Sequence, residues 1–193
     1  MDYEAKEDRR VRKTKKALRE GLAELLADKS IQYITVRELT DKADVHRSTF
    51  YANFKDIYDL YNHIEETVVD ELNNILLSVQ NLESAQIVIL LLQFISDNKQ
   101  VSRLVLGNNA SSAFLHRISA LFKGLCNTHW QQIHNLSIPT HKLGVYTHFL
   151  YSGYLGVISE WVASDFALPE NELVELLSDI DINFEEFIES KLA

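Results

Sequence analysis

Residues 35–54, TVRELTDKADVHRSTFYANF, constrain the fold more than any other stretch. Thr35 and Glu38 form a T-x-x-E capping box, in which the Thr hydroxyl accepts from a backbone N–H and the Glu reaches back. Val36, Leu39, Thr40 and Ala43 follow at helical spacing and predict a helix of about two turns. Asp44 breaks it with a residue that tolerates turn geometry, and Val45 restores an apolar anchor. In the next helix Arg47, Ser48 and Tyr51 share one side, while Phe50 and Phe54 sit four apart on another. A short helix with Arg, Ser, Thr and Tyr outward and Phe inward suits a DNA major groove.

The run TVRELTDKADVHRSTFYANFKDIYDL resembles the helix-turn-helix signature of the TetR/AcrR family of transcriptional regulators. Thr35, Leu39, Ala43, Val45, Ser48, Thr49, Tyr51, Phe54 and Leu60 match that pattern in register. Two positions depart from it. Asp44 stands where the family carries Gly, which predicts a tight or strained turn. Ile57 stands where the family carries a phosphate-contacting Lys; either Lys55 takes over that contact or it is lost. The match covers about the first third of the chain. Further on, FISDNKQ, RLVLG and SGYLGVISEW, between Phe94 and Trp161, are similar to the C-terminal domain of a TetR-like subset that includes regulators of the dihydroxyacetone kinase operon type.

Charge is divided along the chain. The formal net charge is −9, which alone argues against a nucleic-acid partner. Residues 1–60, however, carry 13 Lys/Arg against 12 Asp/Glu, and residues 61–193 carry 6 against 16. Arg9, Arg10, Arg12, Lys13, Lys15, Lys16 and Arg19 fall in an eleven-residue stretch with no acid. By charge alone this is equally a solvated helix face; beside the helix-turn-helix it reads as a phosphate-contacting segment. Arg47, Ser48 and Tyr51 are then expected in the groove, with Thr35, Thr49 and Lys55 near phosphates. Arg9, Arg12 and Lys13 would reach along the backbone, and His46 would meet a base or a phosphate.

The remaining sequence predicts an all-α chain of about nine helices. A first helix from about Asp8 to Ala27 turns Leu18, Leu22 and Leu25 inward. Asp56 caps a long helix through Leu60, Ile64, Val68, Leu72 and Leu76 that would connect two domains, 1–55 binding DNA and 56–193 sensing a ligand and dimerising. Gln86–Ile95 is apolar nearly all round and belongs in a domain centre. A helix from Val101 ends at Gly107, and Ser111 or Ser112 caps the next, which runs to Ile133 and leaves Arg117, Lys123, Asn127 and Gln131 to solvent. Pro139 starts a helix whose stripe is Leu143, Leu150, Tyr154, Val157 and Trp161, and Pro169 starts the last.

Candidate sites follow from these helices. Phe94, Phe114, Phe122, His148 and Tyr151 are expected to line a pocket with apolar walls and a few polar groups; filling the core is the plainer role for each. Gly153 and Gly156, with the Leu173, Leu177, Ile180 and Phe184 stripe, are expected to form a two-fold, four-helix dimer interface. His116, His129, His134, His141 and His148 cluster near Cys126, but core or surface histidine is the reading, with no metal. No phosphate loop, G-x-S-x-G or H-E-x-x-H occurs, so no enzyme activity and no cofactor are expected.

Cys126 is the single cysteine, so no disulfide forms within the chain, which fits a reducing cytoplasm. The charged N-terminus lacks a secretory segment, and the longest apolar run, Ile87–Leu92, is far short of a membrane span. The resemblance implies a homodimer that places two recognition helices in successive grooves of a palindromic operator. It further implies repression, relieved when a small apolar or aromatic ligand moves the connecting helix. Two alternatives stay open: a transcriptional co-regulator controlled by a protein partner, and a helical metal- or ligand-binding protein that does not use its DNA motif.

Overall fold

A computed structural model describes residues 9–78, 84–107, 110–133 and 140–192. Every regular element among the described residues is helical, as the sequence predicts: α1 (Arg9–Asp28), a single 3-10 turn (Ile31–Tyr33), α2 (Val36–Lys42), α3 (Arg47–Tyr51), α4 (Ile57–Ser78), α5 (Ser84–Asp97), α6 (Lys99–Leu106), α7 (Ser112–Ile133), α8 (Thr140–Ala163) and α9 (Glu170–Leu192). The chain divides into two compact units, Met1–Glu66 and Thr67–Ala193. The sequence reading ended the first domain at 55; burial of Ile57, Leu60 and Ile64 carries it on into α4.

In the first unit, Leu18, Leu22 and Leu26 are the buried leucines of α1. Leu25, expected inward, is half-buried. The reason is spacing: 18, 22 and 26 keep the i, i+4 row, and 25 falls one position round the helix. Gly21 lets α2 come close, since a Cβ there would lie 3.3 Å from Leu39 Cδ1 and 3.4 Å from the Ala43 Cβ. Two ion pairs tie α2 to α1 and to the residue that follows it, Lys42 with Glu24 at 2.6 Å and Lys29 with Glu38. Both are solvent-accessible and contribute little stability.

The second unit is built on α5, which packs most extensively against α9. Val88, Leu92 and Ile95 of α5 meet Trp161 and Val162 of α8 and Leu173 and Leu177 of α9. A smaller cluster joins Cys126 of α7, Leu150 of α8 and Ile188 of α9. The Ser102 hydroxyl donates to the Ile95 carbonyl at 3.0 Å and ties α6 to α5. Gly107 caps the end of α6 in extended backbone, where a Cβ would lie 2.4 Å from the Arg103 carbonyl oxygen, so the position calls for glycine. Ser111 caps α7, its hydroxyl accepting from the Phe114 N–H at 3.0 Å.

The turn after α8 places two consecutive residues, Asp165 (φ 58°) and Phe166 (φ 60°), in the left-handed region. For a Phe this is costly backbone, and its surroundings hold it there. The Phe166 ring meets Trp161 edge-on at 4.9 Å, with Lys99 Nζ 4.7 Å from its centroid. Arg103 Nε donates to Asp165 at 2.9 Å, and Trp161 Nε1 donates to the Leu168 carbonyl at 2.7 Å. Nothing in the local sequence announces this turn.

Candidate functional site

The helix-turn-helix forms as its local chemistry dictates. Thr35 Oγ1 accepts from the Glu38 N–H at 3.2 Å. The Glu38 carboxyl bonds Lys29 Nζ, which holds it below its ordinary value, with a smaller contribution from the Thr35 N–H. The Thr40 hydroxyl turns inward and donates to the Val36 carbonyl at 2.8 Å. Asp44 then adopts φ 52°, so the position where the family carries Gly does require left-handed backbone. Asp is among the few side chains that accept it. The Val45 N–H closes the turn on the Thr40 carbonyl at 3.0 Å.

Only five residues, Arg47–Tyr51, form α3, entered from His46. Phe50 is fully buried, its ring 5.9 Å from that of Phe54. This pins the helix by one face. His46, Arg47, Ser48 and Tyr51 are exposed and Thr49 is half-buried. Tyr51 is 60% exposed, although its ring leans edge-on against Phe50 at 5.5 Å. The buried phenylalanine thus supports the ring of an exposed tyrosine on the open face of α3.

Thr35 and Lys55 are exposed as well. Ile57, in the family's lysine position, is 4% exposed and belongs to the core. It cannot reach phosphate. Lys55 is the basic side chain next to that position, and its own N–H is fixed by Asp59 Oδ2 at 2.8 Å. Asp56 Oδ1 accepts from the Asp59 N–H at 2.8 Å, the N-terminal cap of α4 expected from the sequence. In α1 the first fully buried side chain is Leu18, and Arg9, Arg10, Arg12 and Lys13 upstream of it are exposed.

The second unit contains a cavity of about 150 Å³, walled by apolar side chains of α4 to α9. Phe94, Phe114, Phe122 and Tyr151 line it, as expected. His148 does not: it is exposed on α8. Thr147, Leu150 and Tyr151 are the side chains of that turn that point inward, and 148 falls outside their arc. The Tyr151 hydroxyl donates to the Leu115 carbonyl at 2.8 Å.

Part of the cavity wall is polar. Tyr154 donates to Asp181 Oδ1 at 2.9 Å, and Cys126 and Glu185 line the same wall. Burial, then Asp181 and Glu185, push the Cys126 thiol up to about 12. Burial, then Asp181, push the Tyr154 hydroxyl up further. Asp181 and Glu185 were not anticipated. Their signal was available, because Asp181 continues the four-residue spacing of Leu173 and Leu177, an acid in an apolar row.

Of the expected interface residues, Gly153, Gly156 and Ile180 are exposed and Phe184 is half-buried. Among the described residues, beyond the helix's own neighbouring backbone, nothing lies within 4 Å of a Cβ built on either glycine. Leu173 and Leu177 are 2% and 3% exposed and close the protomer's own core, so they are withdrawn from the interface. Val157, expected inward on α8, also faces out at 40%; Ile158 and Val162 take the inward positions instead. The outward surface of α8 and α9 is nonetheless apolar, with Phe149, Leu176, Ile180 and Phe187 exposed.

Arg117, expected in solvent, is half-buried, and His116 is exposed. His134 and Pro139 lie outside the described residues, as do the side chains of Asn127, His129, Gln131, His141 and Leu143. Among the described residues no group of three or more His, Cys, Asp or Glu could hold a metal, and no helix is long and apolar enough to cross a membrane.

A helix-turn-helix with a polar outer face, joined in one chain to a cavity-bearing helical unit, defines a one-chain DNA-binding regulator. The family profile described as "Transcriptional regulator C-terminal region" matches residues 83–181, and the chain belongs to the TetR/AcrR family of transcriptional regulators. No curated protein sequence matches it. Among solved structures it is similar to the fatty acid degradation regulator FadR from Bacillus halodurans (TM-score 0.71, 13% identity, covering 91% of this chain and 95% of that one). It is also similar to NalD, the secondary repressor of the MexAB-OprM multidrug efflux pump in Pseudomonas aeruginosa (0.67, 15%, 90% and 95%). A third likeness is to the dihydroxyacetone kinase operon activator DhaS (0.62, 17%, 91% and 96%). At these identities the likenesses establish the fold. Fold and family are those of transcriptional regulators and not of enzymes.

Proposed function

We propose that the chain acts in the cytoplasm as a homodimeric repressor that leaves a palindromic operator when a small apolar or aromatic ligand enters the cavity of the second unit. The observation that carries this reading is the cavity itself. An interior meant only for support packs to near crystal density, whereas this one keeps about 150 Å³ open among Phe94, Phe114, Phe122 and Tyr151. An engineered cavity of that size in another protein admits benzene. The open space favours a small effector over control by a protein partner.

On the DNA side, Arg47 reads a base edge, Ser48 and Tyr51 share the groove, and His46, Thr35, Thr49 and Lys55 meet the flanking base or phosphates. Arg9, Arg12 and Lys13 follow the backbone. A second copy covers the outward face of α8 and α9 around Gly153, Gly156 and Ile180, with Phe184 at its edge. Helix α4 supplies Val68 and Leu72 to the cavity wall and Leu60 and Ile64 to the core of the first unit. A ligand that shifts the later turns of α4 therefore changes the population competent for DNA, by its differential affinity for the two states.

The test is a binding titration over a salt series on the DNA upstream of the chain's own gene. Arg47→Ala should cost about 1–3 kcal/mol of discrimination at one position in each half-site. Lys55→Ala should weaken specific and scrambled duplexes alike and reduce the salt slope by about one. Identical binding of specific and scrambled duplexes by wild type and Arg47→Ala would end the operator reading.

A further inference from the structure

We infer that the ligand of the cavity is an uncharged phenol, a body of about one ring whose hydroxyl donates to Ser102 Oγ. This rests on the reading of the cavity as an effector site and specifies what fills it. Apolar side chains make most of the wall, and about 150 Å³ stays open between them, room for a molecule the size of benzene. Among the described residues lining it, the hydroxyl groups are those of Ser102, Tyr151 and Tyr154. All three already donate. Ser102 Oγ gives its proton to the Ile95 carbonyl at 3.0 Å, Tyr151 to the Leu115 carbonyl at 2.8 Å and Tyr154 to Asp181 Oδ1 at 2.9 Å. A hydroxyl has one proton and two lone pairs, and a carbonyl can only accept. These groups therefore offer a ligand lone pairs and no proton.

The remaining polar side chains of the wall do not change this. The Cys126 thiol is a weak donor, and ionised carboxylates only accept. Asp181 and Glu185 are both engaged within the chain, so they call for no charge from a ligand. No Lys, Arg or His stands among the described lining residues to receive an anion. A ligand whose polar atom only accepts, such as an ether, would lose its bonds to water without replacement. A ligand that donates finds an acceptor. Ser102 is the best placed of the three. It is 3% exposed and sits on α6 between Val101 and Val105, which line the same cavity. Its oxygen is polarised by donating to Ile95, which strengthens it as an acceptor. The Tyr151 hydroxyl is bonded by Ser119 as well, and Tyr154 stands against Asp181.

The experiment is calorimetric titration of the full chain with p-cresol, with its isomer anisole, which lacks a donor, and with toluene, which lacks a polar atom. The p-cresol should bind about tenfold tighter than anisole. A wall that selects by apolarity alone gives the reverse order, because the phenol hydroxyl costs most to strip of water. Benzylamine, a cation at neutral pH, should bind more weakly than p-cresol. In Ser102→Ala the advantage of p-cresol over anisole should vanish while toluene still binds; circular dichroism and a melting curve check that this variant, which also loses the tie to Ile95, is folded. Ranking the probes on the wild type needs no variant. Anisole or benzylamine binding as tightly as p-cresol overturns the inference while leaving the cavity an effector site, as does a p-cresol advantage that survives in folded Ser102→Ala. Binding of none of the probes overturns the inference together with the effector reading.

Discussion

In the unit ending at Glu66, Leu18, Leu22, Leu39 and Phe50 are wholly buried, and the helix intended for DNA is fixed to that core by two phenylalanines. Its outward side chains are polar or charged, Tyr51 among them. In the second unit Phe94, Phe114, Phe122 and Tyr151 surround open space, and Phe149, Leu176, Ile180 and Phe187 of α8 and α9 point outward. The difference follows from what each unit must do. Reading base edges requires side chains held to a fraction of an ångström, so the reader is packed solid. Responding to a ligand requires a packing arrangement that can change, and an underpacked interior lowers the cost of changing it.

The comparison breaks first at Phe50. Phe50→Ala removes a fully buried ring from a small unit and should cost about 3–5 kcal/mol, read by chemical denaturation and by loss of DNA binding. Phe122→Ala removes a half-buried ring beside space that already exists and should cost clearly less, with its effect falling on ligand affinity. Equal costs would mean that the two interiors are packed alike.

Cys126 tests the same contrast by chemistry. Its thiol is pushed up from 9.0 to about 12, chiefly by burial. At pH 8 it should react with a thiol reagent at least about a hundredfold more slowly in the native chain than in denaturant, since the thiolate is the nucleophile. Because the folded thiol keeps its proton to higher pH than the unfolded one, the stability linked to it is fully present below pH 9 and lost as pH rises toward 12. Rapid native labelling would show that the second unit opens far more readily than its buried helices imply.

Gly156→Leu probes the outward face. Among the described residues no other element opposes a side chain there, so protomer stability should change little. Self-association, followed by sedimentation at micromolar concentration, should weaken by about 1–3 kcal/mol from overpacking between copies. A monomeric wild type, or a dimer untouched by the substitution, would move the interface elsewhere.

How much of this was legible in the sequence depended on how local the cause was. The capping box, the turn at residue 44 and the Phe50/Phe54 pair act within a few residues, and each is where the sequence put it. The helices of the second unit were legible from periodicity, and with them four of the five cavity residues. The fates of Leu173, Leu177 and His148 were not, because a stripe shows that a face is apolar without showing what covers it. Leu173 and Leu177 are covered by α5 of their own chain, and Leu176 and Ile180, on the same helix, are not. The acids at 181 and 185 were lost against an acidic background, in a segment with 16 acidic residues over 61–193. The left-handed pair Asp165–Phe166 depends on Trp161, Lys99 and Arg103, residues that only the fold brings together.

The smallest effect expected lies at Asp44, the one residue of the first unit in left-handed backbone among the described residues. At φ 52° a side chain costs free energy that Gly avoids, although Asp tolerates the region better than most. Gly also gives the unfolded chain more freedom, which offsets part of the relief. Asp44→Gly should therefore stabilise the first unit by no more than about 1 kcal/mol. Its effect on DNA has a separate cause: the substitution removes an exposed carboxylate beside the helix that approaches phosphate. Asp44→Asn separates the two, since Asn removes the charge and keeps a side chain suited to left-handed backbone. If charge governs, both variants bind the operator more tightly and the gain shrinks as salt is raised. If backbone strain governs, only Asp44→Gly gains, and the gain persists at high salt. Weaker binding by both variants would mean that Asp44 makes a contact of its own with the DNA, and that the helix-turn-helix docks with its turn closer to the bases than α3 alone requires.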